Sequence, residues 1–331
     1  MAKMVGNQLI GKVKTVTIEK QPTEKEMGLA TFDFRDEYSI FDYGRMPDDI
    51  PFKGESLCRM TVQNFKELAG KGIKSHFVKS ISPKEFQVNT VRILYPQKGE
   101  ITKDSTNFLI PLEIIFRNSL PEGSSMLKRL RSGAIKPQDI GLDRMPEPFE
   151  KLEKPIVDYT TKLEKDDRHL TIDEAKELAK ISDEEFAKIE ETALAVNSFL
   201  NEKAESIGLD HADGKIELAF DPNREVMLVD TFGTLDEDRF LFGKTHLSKQ
   251  ILRDYYAKTV WGEEIMKKES GKEYKLNAPE KMPAELLSLT SNMYKSVCEE
   301  WCGEKIWGAP KVSEVVASLN NFMKTIGEKS E

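Results

Sequence analysis

Lysines and carboxylates at alternating positions between Asp213 and Arg239 could together hold a cation and the phosphate it accompanies. The stretch reads Asp-Gly-Lys-Ile-Glu-Leu-Ala-Phe, then Asp-Pro-Asn-Arg-Glu, then Val-Met-Leu-Val-Asp-Thr-Phe-Gly-Thr-Leu-Asp-Glu-Asp-Arg. The outer pieces have strand length. The middle piece is a turn by composition, because Pro presets φ and Asp and Asn bond their own backbone. A hairpin with Pro222 and Asn223 at its tip sets Asp221 opposite Arg224, Lys215 opposite Asp230 and Glu217 opposite Leu228. Side chains alternate across a strand. Lys215, Glu217 and Asp230 are therefore expected on one face, with Ile216, Leu218, Met227 and Val229 on the other. Such a face is either solvated and laced with ion pairs, or it holds a hard cation. Mg²⁺ usually takes one or two carboxylates and fills its shell with substrate phosphates, which makes Glu217 and Asp230 the candidate ligands.

Two further stretches carry charge suited to anions. In Phe108-Leu-Ile-Pro-Leu-Glu-Ile-Ile-Phe-Arg-Asn-Ser-Leu-Pro-Glu-Gly-Ser-Ser, Glu113 and Arg117 lie four apart and share a strand face. Pro111 places that strand at an edge or a bulge. Gly123-Ser124-Ser125 then opens a helix through about Leu130, and Arg117 adds a fork suited to phosphate. The plain alternative is a serine N-cap. Near the start, Leu9 to Ile18 reads as a strand with a Gly-Lys-x-Lys insertion that puts Lys12 and Lys14 on one face. They are either edge-protecting lysines or a pair of ammoniums over a phosphate chain.

The elements that position these residues are α and β in mixed order. A helix is expected from about Ser56 to Leu68, with Leu57, Met60, Phe65 and Leu68 as its apolar stripe. Strands are expected at His76–Val78 and Glu85–Leu94, and His76 itself is expected to carry no chemistry. Thr171 with Glu174 and Ser182 with Glu185 are capping boxes that open two helices. A helix starts at Ser248, and two amphipathic helices fill 282–327. Gly243-Lys244-Thr245 is not a phosphate-binding P-loop, since that motif needs Gly five residues before the Gly-Lys and position 238 is Asp. Cys298 and Cys302, i and i+4 on a helix, are read as packing rather than as half of a zinc site.

Composition bounds the function. The 331 residues hold 39% hydrophobic and 32% charged residues with net charge −8, and the pI is near 5.4. An acidic chain lacks the basic footprint of a nucleic-acid binder. No apolar run approaches the ~20 residues of a membrane span, the first residues contain no signal-peptide core, and three cysteines fit a reducing compartment. The chain is expected in the cytoplasm.

Asp213-x-Lys215-x-Glu217-Leu with its Asp-ended partner strand resembles a signature of the SAICAR synthetases, the phosphoribosylaminoimidazole-succinocarboxamide synthases of purine biosynthesis. Ala219 stands where that family usually has Gly, and Asp230-Thr231 where it usually has Asp-Glu. Gly11-Lys12-x-Lys14 resembles the family's strand over ATP. Ile110-Pro-x-Glu-x-x-x-Arg-Asn followed by Gly-Ser matches a second signature, with one more residue between Arg117 and Gly123 than usual. Ile50-Pro-x-Lys-Gly, Pro155-Ile-Val-Asp-Tyr and Ser248-Lys-Gln-x-x-Arg-Asp recur in it too. The resemblance spans about residues 9 to 300.

It implies an α+β fold of two lobes, of ATP-grasp or kinase-like kind, with antiparallel sheets and ATP between them. The lobes would be residues 1–110, covering the nucleotide, and 111–331, with the substrate and metal sites. It implies condensation of 5-aminoimidazole-4-carboxylate ribonucleotide with L-aspartate at the expense of ATP, with Mg²⁺. Gly11, Lys12, Lys14 and Glu113 would serve ATP, and Glu217 and Asp230 the metal. Arg117, Arg239 and Ser124 or Ser125 would hold the ribose phosphate, with Lys215 and Asp236 beside the reacting groups. The Asp230–Arg239 interval is one residue longer than usual, which bears on Asp236. The expected partners are these small molecules and a second copy of the chain in a homo-oligomer, with neither nucleic acid nor membrane. Two other classes share the pattern: another ATP-dependent kinase or ligase of this two-lobe form, and a non-catalytic nucleotide-binding protein.

Overall fold

Short alternating segments build two antiparallel sheets in the computed structural model, which describes residues 3–11, 13–41, 43–269 and 277–328. The first sheet holds β1 (Lys3–Val5), β2 (Gln8–Ile10), β3 (Lys14–Lys20), β4 (Gly28–Phe34), β5 (Phe77–Ser82) and β6 (Glu85–Thr90). Their order is β1-β2-β3-β4-β6-β5. The run expected as one strand over 9–18 is two strands. Ile10 pairs Thr15, and the Gly11 N–H donates to the Lys14 carbonyl across a hairpin turn. In β4 the period of two buries Ala30, Phe32 and Phe34. They face α1 (Lys53–Gly70), whose stripe of Leu57, Met60, Phe65 and Leu68 is buried as expected. α1 starts three residues before the expected Ser56. Gly54 permits this, because a Cβ there would lie 2.7 Å from the Phe34 carbonyl oxygen.

The second sheet is laid down by β7 (Phe108–Leu109), β8 (Leu112–Ser119), β9 (Lys151–Thr161), β10 (His169–Leu170), β11 (Asp210–Phe220), β12 (Val226–Val229), β13 (Arg239–Phe242) and β14 (Thr245–Leu247). Its order is β10-β9-β8-β11-β13-β14, with β7 and β12 paired along the far half of β11. Pro111, which has no N–H to donate, falls in the break between β7 and β8. Gly243-Lys244 is the turn between β13 and β14.

The helices of this part are α2 (Ser125–Arg131), α3 (Ile172–Ala179), α4 (Asp183–Ser206), α5 (Gln250–Tyr256) and α6 (Val260–Glu269). The capping boxes at Thr171 and Ser182 are both formed. α4 packs its Phe186, Ile189, Ala193, Val196 and Leu200 stripe beneath β8, β9 and β11. Two last helices, α7 (Ala284–Cys302) and α8 (Val312–Glu328), return to the first lobe, where α7 packs against α1. Cys298 is buried there as packing.

The two sheets are stitched by residues 74–76. Leu228 N–H donates to Lys74 O at 2.9 Å and His76 N–H to Leu228 O at 3.0 Å, while Asn89 N–H reaches His76 O at 2.8 Å. One apolar core runs through both sheets and the C-terminal helices. Among the described residues, no helix is long and apolar enough to cross a membrane.

Candidate active site

The hairpin of β11 and β12 exists, but its register differs by one from the expected pairing. Glu217 lies opposite Val229 and Leu218 opposite Leu228. The cause is the turn. Asp221 N–H bonds the Glu225 carbonyl, so the loop spans five residues rather than a two-residue tip. Arg224 takes a left-handed φ of 61°, and the Asp221 carboxylate accepts the N–H groups of Asn223 and Glu225 at 2.8 and 2.9 Å. Met227 and Val229 therefore share the Glu217 side, in a small apolar cluster with Leu109 and Ala219. Asp230 still joins Glu217. It stands just past the strand end with φ 59°, a left-handed turn that breaks the alternation and brings its carboxylate back.

Register explains the rest of the charged face. Asp213 is paired with Arg117 on one side and Arg239 on the other, and Lys215 with Ile115. Ile115 in turn is paired with Asp158, and Glu113 with Thr160. With period two, Glu113 and Arg117 of β8, Asp158 of β9 and Asp213, Lys215 and Glu217 of β11 all point to the side away from α4.

They form two clusters. In the first, Lys14 comes over from the other sheet. Its ammonium pairs with Asp230 and donates to Thr231 Oγ1 at 3.3 Å. Lys162 bridges Glu217 at 2.6 Å and Glu113 at 2.9 Å, and Lys215 meets the same Glu113 oxygen at 2.9 Å. Burial and the charge of Asp230 push the Glu217 carboxyl up to about 7. Burial also opposes ionisation of Asp230, but Lys14 overrides it and holds that carboxyl well below the usual range. Glu113 is likewise held low by Lys215 and Lys162 against its burial. Glu217 resists ionising even with Lys162 beside it, and a divalent cation would add positive charge at the pair. Among the described residues no three His, Cys, Asp or Glu side chains converge as a metal cage. A carboxylate pair completed by phosphate oxygens is what Mg²⁺ accepts. Gly11 sets the turn that presents Lys14, with the Arg35 guanidinium on its carbonyl. Lys12 lies outside the described residues.

The second cluster centres on Arg117, which is almost fully buried. Its guanidinium faces Asp158 at 3.1 Å, Asp213 at 3.4 Å, Ser124 Oγ at 3.5 Å and Ser125 Oγ at 3.4 Å. Arg239 Nε donates to the other Asp213 oxygen at 2.8 Å. Both serines thus reach Arg117. Ser124 is buried at the start of α2 and makes no cap bond, while Ser125 is exposed. A groove of ≈ 1220 Å³ opens beside this cluster, lined in part by Arg129, Lys154 and Asp158.

Asp236 is buried between helices. Its side chain is 1% exposed, and the ammoniums of Lys53 and Lys249 meet it at 2.8 and 2.9 Å. Tyr294 donates to it at 2.7 Å. The sequence placed it beside the reacting groups; in the structure its carboxylate is held under α1, α5 and α7. Besides Glu113 at 2.9 Å, Lys215 is approached by Glu237, the residue after Asp236, at 4.0 Å. Sequence reasoning passed over Lys162, Asp158, Lys53 and Lys249. Period two from Asp158 through Thr160 would have put Lys162 on the charged face. Lys53 and Lys249 stand in the Ile50-Pro-x-Lys-Gly and Ser248-Lys-Gln motifs, but nothing in the sequence says that they share Asp236 as partner.

Comparison with known proteins completes the picture. A family model described as SAICAR synthetase matches residues 9–268. A protein of Archaeoglobus fulgidus, provisionally named a phosphoribosylaminoimidazole-succinocarboxamide synthase, is 40% identical over 95% of this chain and 100% of its own length. The synthase of that name from Thermoplasma acidophilum is 37% identical over 83% of this chain and 93% of its own. Among solved structures, a SAICAR synthase from Saccharomyces cerevisiae complexed with SAICAR superposes with a TM-score of 0.67 at 22% identity. It covers 93% of this chain and 99% of that one. A type-2 SAICAR synthetase in complex with ADP gives 0.62 at 22% identity, over 90% and 99%. The two structures share the fold: helices with two antiparallel sheets in two lobes.

Proposed function

The chain belongs to the SAICAR synthetase family, and on that premise we propose that its two charged clusters divide one ligation between them. The reaction condenses 5-aminoimidazole-4-carboxylate ribonucleotide with L-aspartate, using ATP, to give SAICAR, ADP and phosphate. A carboxylate is a poor electrophile for an amine. The substrate carboxylate therefore attacks the γ-phosphorus of ATP, and ADP leaves. The aspartate amine then attacks the acyl carbon, loses a proton, and phosphate leaves. Such chemistry rests on positioning and charge neutralisation.

The first cluster takes the nucleotide. Lys14, presented by the turn at Gly11 and joined by Lys12, serves the phosphates, and Glu113 orients Lys162 and Lys215. Glu217 and Asp230 would hold Mg²⁺, which when bound neutralises phosphate charge. Lys215 lies between this cluster and the second, at the place where charge changes hands. In the second cluster Arg117 and Arg239, with Ser125 and Ser124, take the ribose phosphate. Asp158 and Asp213 hold the guanidiniums in place until it arrives. The observation that carries the reading is the cross-strand row Arg117–Asp213–Arg239 on the same face of β11 as Glu217 of the Glu217–Asp230 pair, a few residues further along the strand. The two lobes are read as residues 1–110 and 111–331, although the change of sheet falls earlier, between Thr90 and Phe108, and α7 packs back on α1. A cytoplasmic location and a homo-oligomer complete the proposal.

The test is co-substrate dependence. ADP should be released rapidly only with ATP, ribonucleotide and aspartate together, and ¹⁵N-aspartate should leave its label in an amide of the product by mass spectrometry. ADP released with the ribonucleotide alone, and no label in the product, would return a kinase instead.

A further inference from the structure

Behind the second cluster, on the far side of β11, lies a buried pair that the reaction as described does not use. His211 Nε2 and Asp238 Oδ2 are 2.8 Å apart, with both side chains fully excluded from solvent. The other Asp238 oxygen accepts the Gly233 N–H at 2.8 Å. The other ring nitrogen of His211 meets Asn201 of α4 at 2.9 Å. Asn118 of β8 donates to the His211 carbonyl at 3.0 Å and to Asn197 at 2.9 Å. The imidazole is also sandwiched by rings, stacked on Phe240 at 5.1 Å and edge-on to Phe116 at 5.6 Å.

Three details give the pair a task. First, the pairing of β11 with β13 shifts register between His211 and Asp213: His211 faces Phe240, yet Asp213 faces Arg239. A bulge re-aims the side chains on either side of it, and this one turns Arg239 towards Asp213. Second, Asp238 adjoins Arg239 and its carboxylate is fixed to His211, so the bulge is pinned at both ends. Third, room for that carboxylate exists only because residue 214 is glycine. A Cβ there would lie 2.0 Å from Asp238 Oδ2. A buried, hydrogen-bonded pair of this kind costs desolvation, and its geometric product is the register of the bulge.

We propose that His211 and Asp238 are a positioning pair that fixes the β11–β13 bulge and so aims Arg239 at the ribose phosphate of the substrate. The inference rests on the reading of Arg117 and Arg239 as the phosphate site. It assigns neither residue a contact with substrate.

His211→Phe tests it, since phenylalanine keeps the ring stack with Phe116 and Phe240 but loses both polar bonds. The KM for the ribonucleotide should rise about tenfold, with the KM for ATP within about twofold of the parent. Should the lone Asp238 charge prevent folding, His211→Phe combined with Asp238→Asn removes that charge and should show the same split. Asp238→Asn alone, which can still bridge Gly233 N–H and the imidazole, should stay near the parent values. In an Arg239→Ala background, His211→Phe should add no further rise, because its effect passes through Arg239. An unchanged ribonucleotide KM in a folded variant without the bridge overturns the proposal. So does an equal rise for ATP and the ribonucleotide, or full additivity with Arg239→Ala. If Arg239→Ala itself leaves ribonucleotide binding intact, the phosphate-site reading fails, and that result is separate from the behaviour of His211→Phe in the parent.

Discussion

At the scale of single residues, Glu217 makes the sharpest statement. Its carboxyl is pushed up to about 7 by burial and by Asp230, so near neutrality a proton competes with any cation for it. Metal ligands must be deprotonated. The sign follows: protons dominate below pH 7, and the cation gains as pH rises above it. Affinity for Mn²⁺ alone, counted by electron paramagnetic resonance, should increase from pH 6 to pH 8. Glu217→Gln should weaken it at least about tenfold, roughly 1.4 kcal/mol, and flatten the pH dependence. A parent affinity that is level across this window would remove Glu217 from the metal site. The residue types of this cluster were legible in the sequence because carboxylates and lysines at period two leave few alternatives. The way Asp230 arrives was not. Alternation put it on the Glu217 face through the wrong register, whereas the actual route is a left-handed backbone at one non-glycine residue. No local signal announces such a residue.

At the scale of elements, Asp236 shows what spacing could not tell. It ties together α1 through Lys53, the start of α5 through Lys249 and α7 through Tyr294. Burial opposes its ionisation, yet the two ammoniums hold its carboxyl far below the usual range. Lys53 is itself pulled down by burial, with Asp236 opposing that fall. Asp236→Asn would leave two ammoniums under the helices without a counter-charge, at a cost of about 3–5 kcal/mol. A large fall in thermal midpoint, with kcat largely retained at low temperature, is the expected result. Lost turnover at unchanged stability would restore a catalytic role. Helices were the most readable elements: both capping boxes and the α1 stripe lie where residue pattern placed them. Strand registers were the least, since the Asp221–Glu225 loop and the bulge at Ala212 each shift pairing by one. One residue is what period two cannot forgive.

At the scale of the whole molecule, the two lobes with their antiparallel sheets were expected through the family resemblance rather than from strand-length runs, and the destination of the C-terminal helices was not expected at all. An amphipathic stripe says that a helix packs, not where it packs. α7 packs on α1, where the Trp301 indole donates to Asn64 Oδ1 at 2.7 Å and Asn64 in turn holds the carbonyls of Phe232 and Gly233 at 3.2 Å. Trp301 is 1% exposed. Trp301→Ala should cost about 3–5 kcal/mol, visible as a lower urea midpoint. A shift below about 1 kcal/mol would mean that the C-terminal helices are a detachable appendage.

The return of α7 to α1 also sets an order of events during synthesis. Domains generally fold as they emerge, the N-terminal one first. Here the first sheet and α1 leave the ribosome early, but the surface that shields α1 is encoded beyond residue 283. Lys53 meets its counter-charge only when Asp236 has been translated, and Asn64 its indole only when Trp301 has. The first sheet and α1 are therefore translated well before the residues that cover α1 and neutralise Lys53.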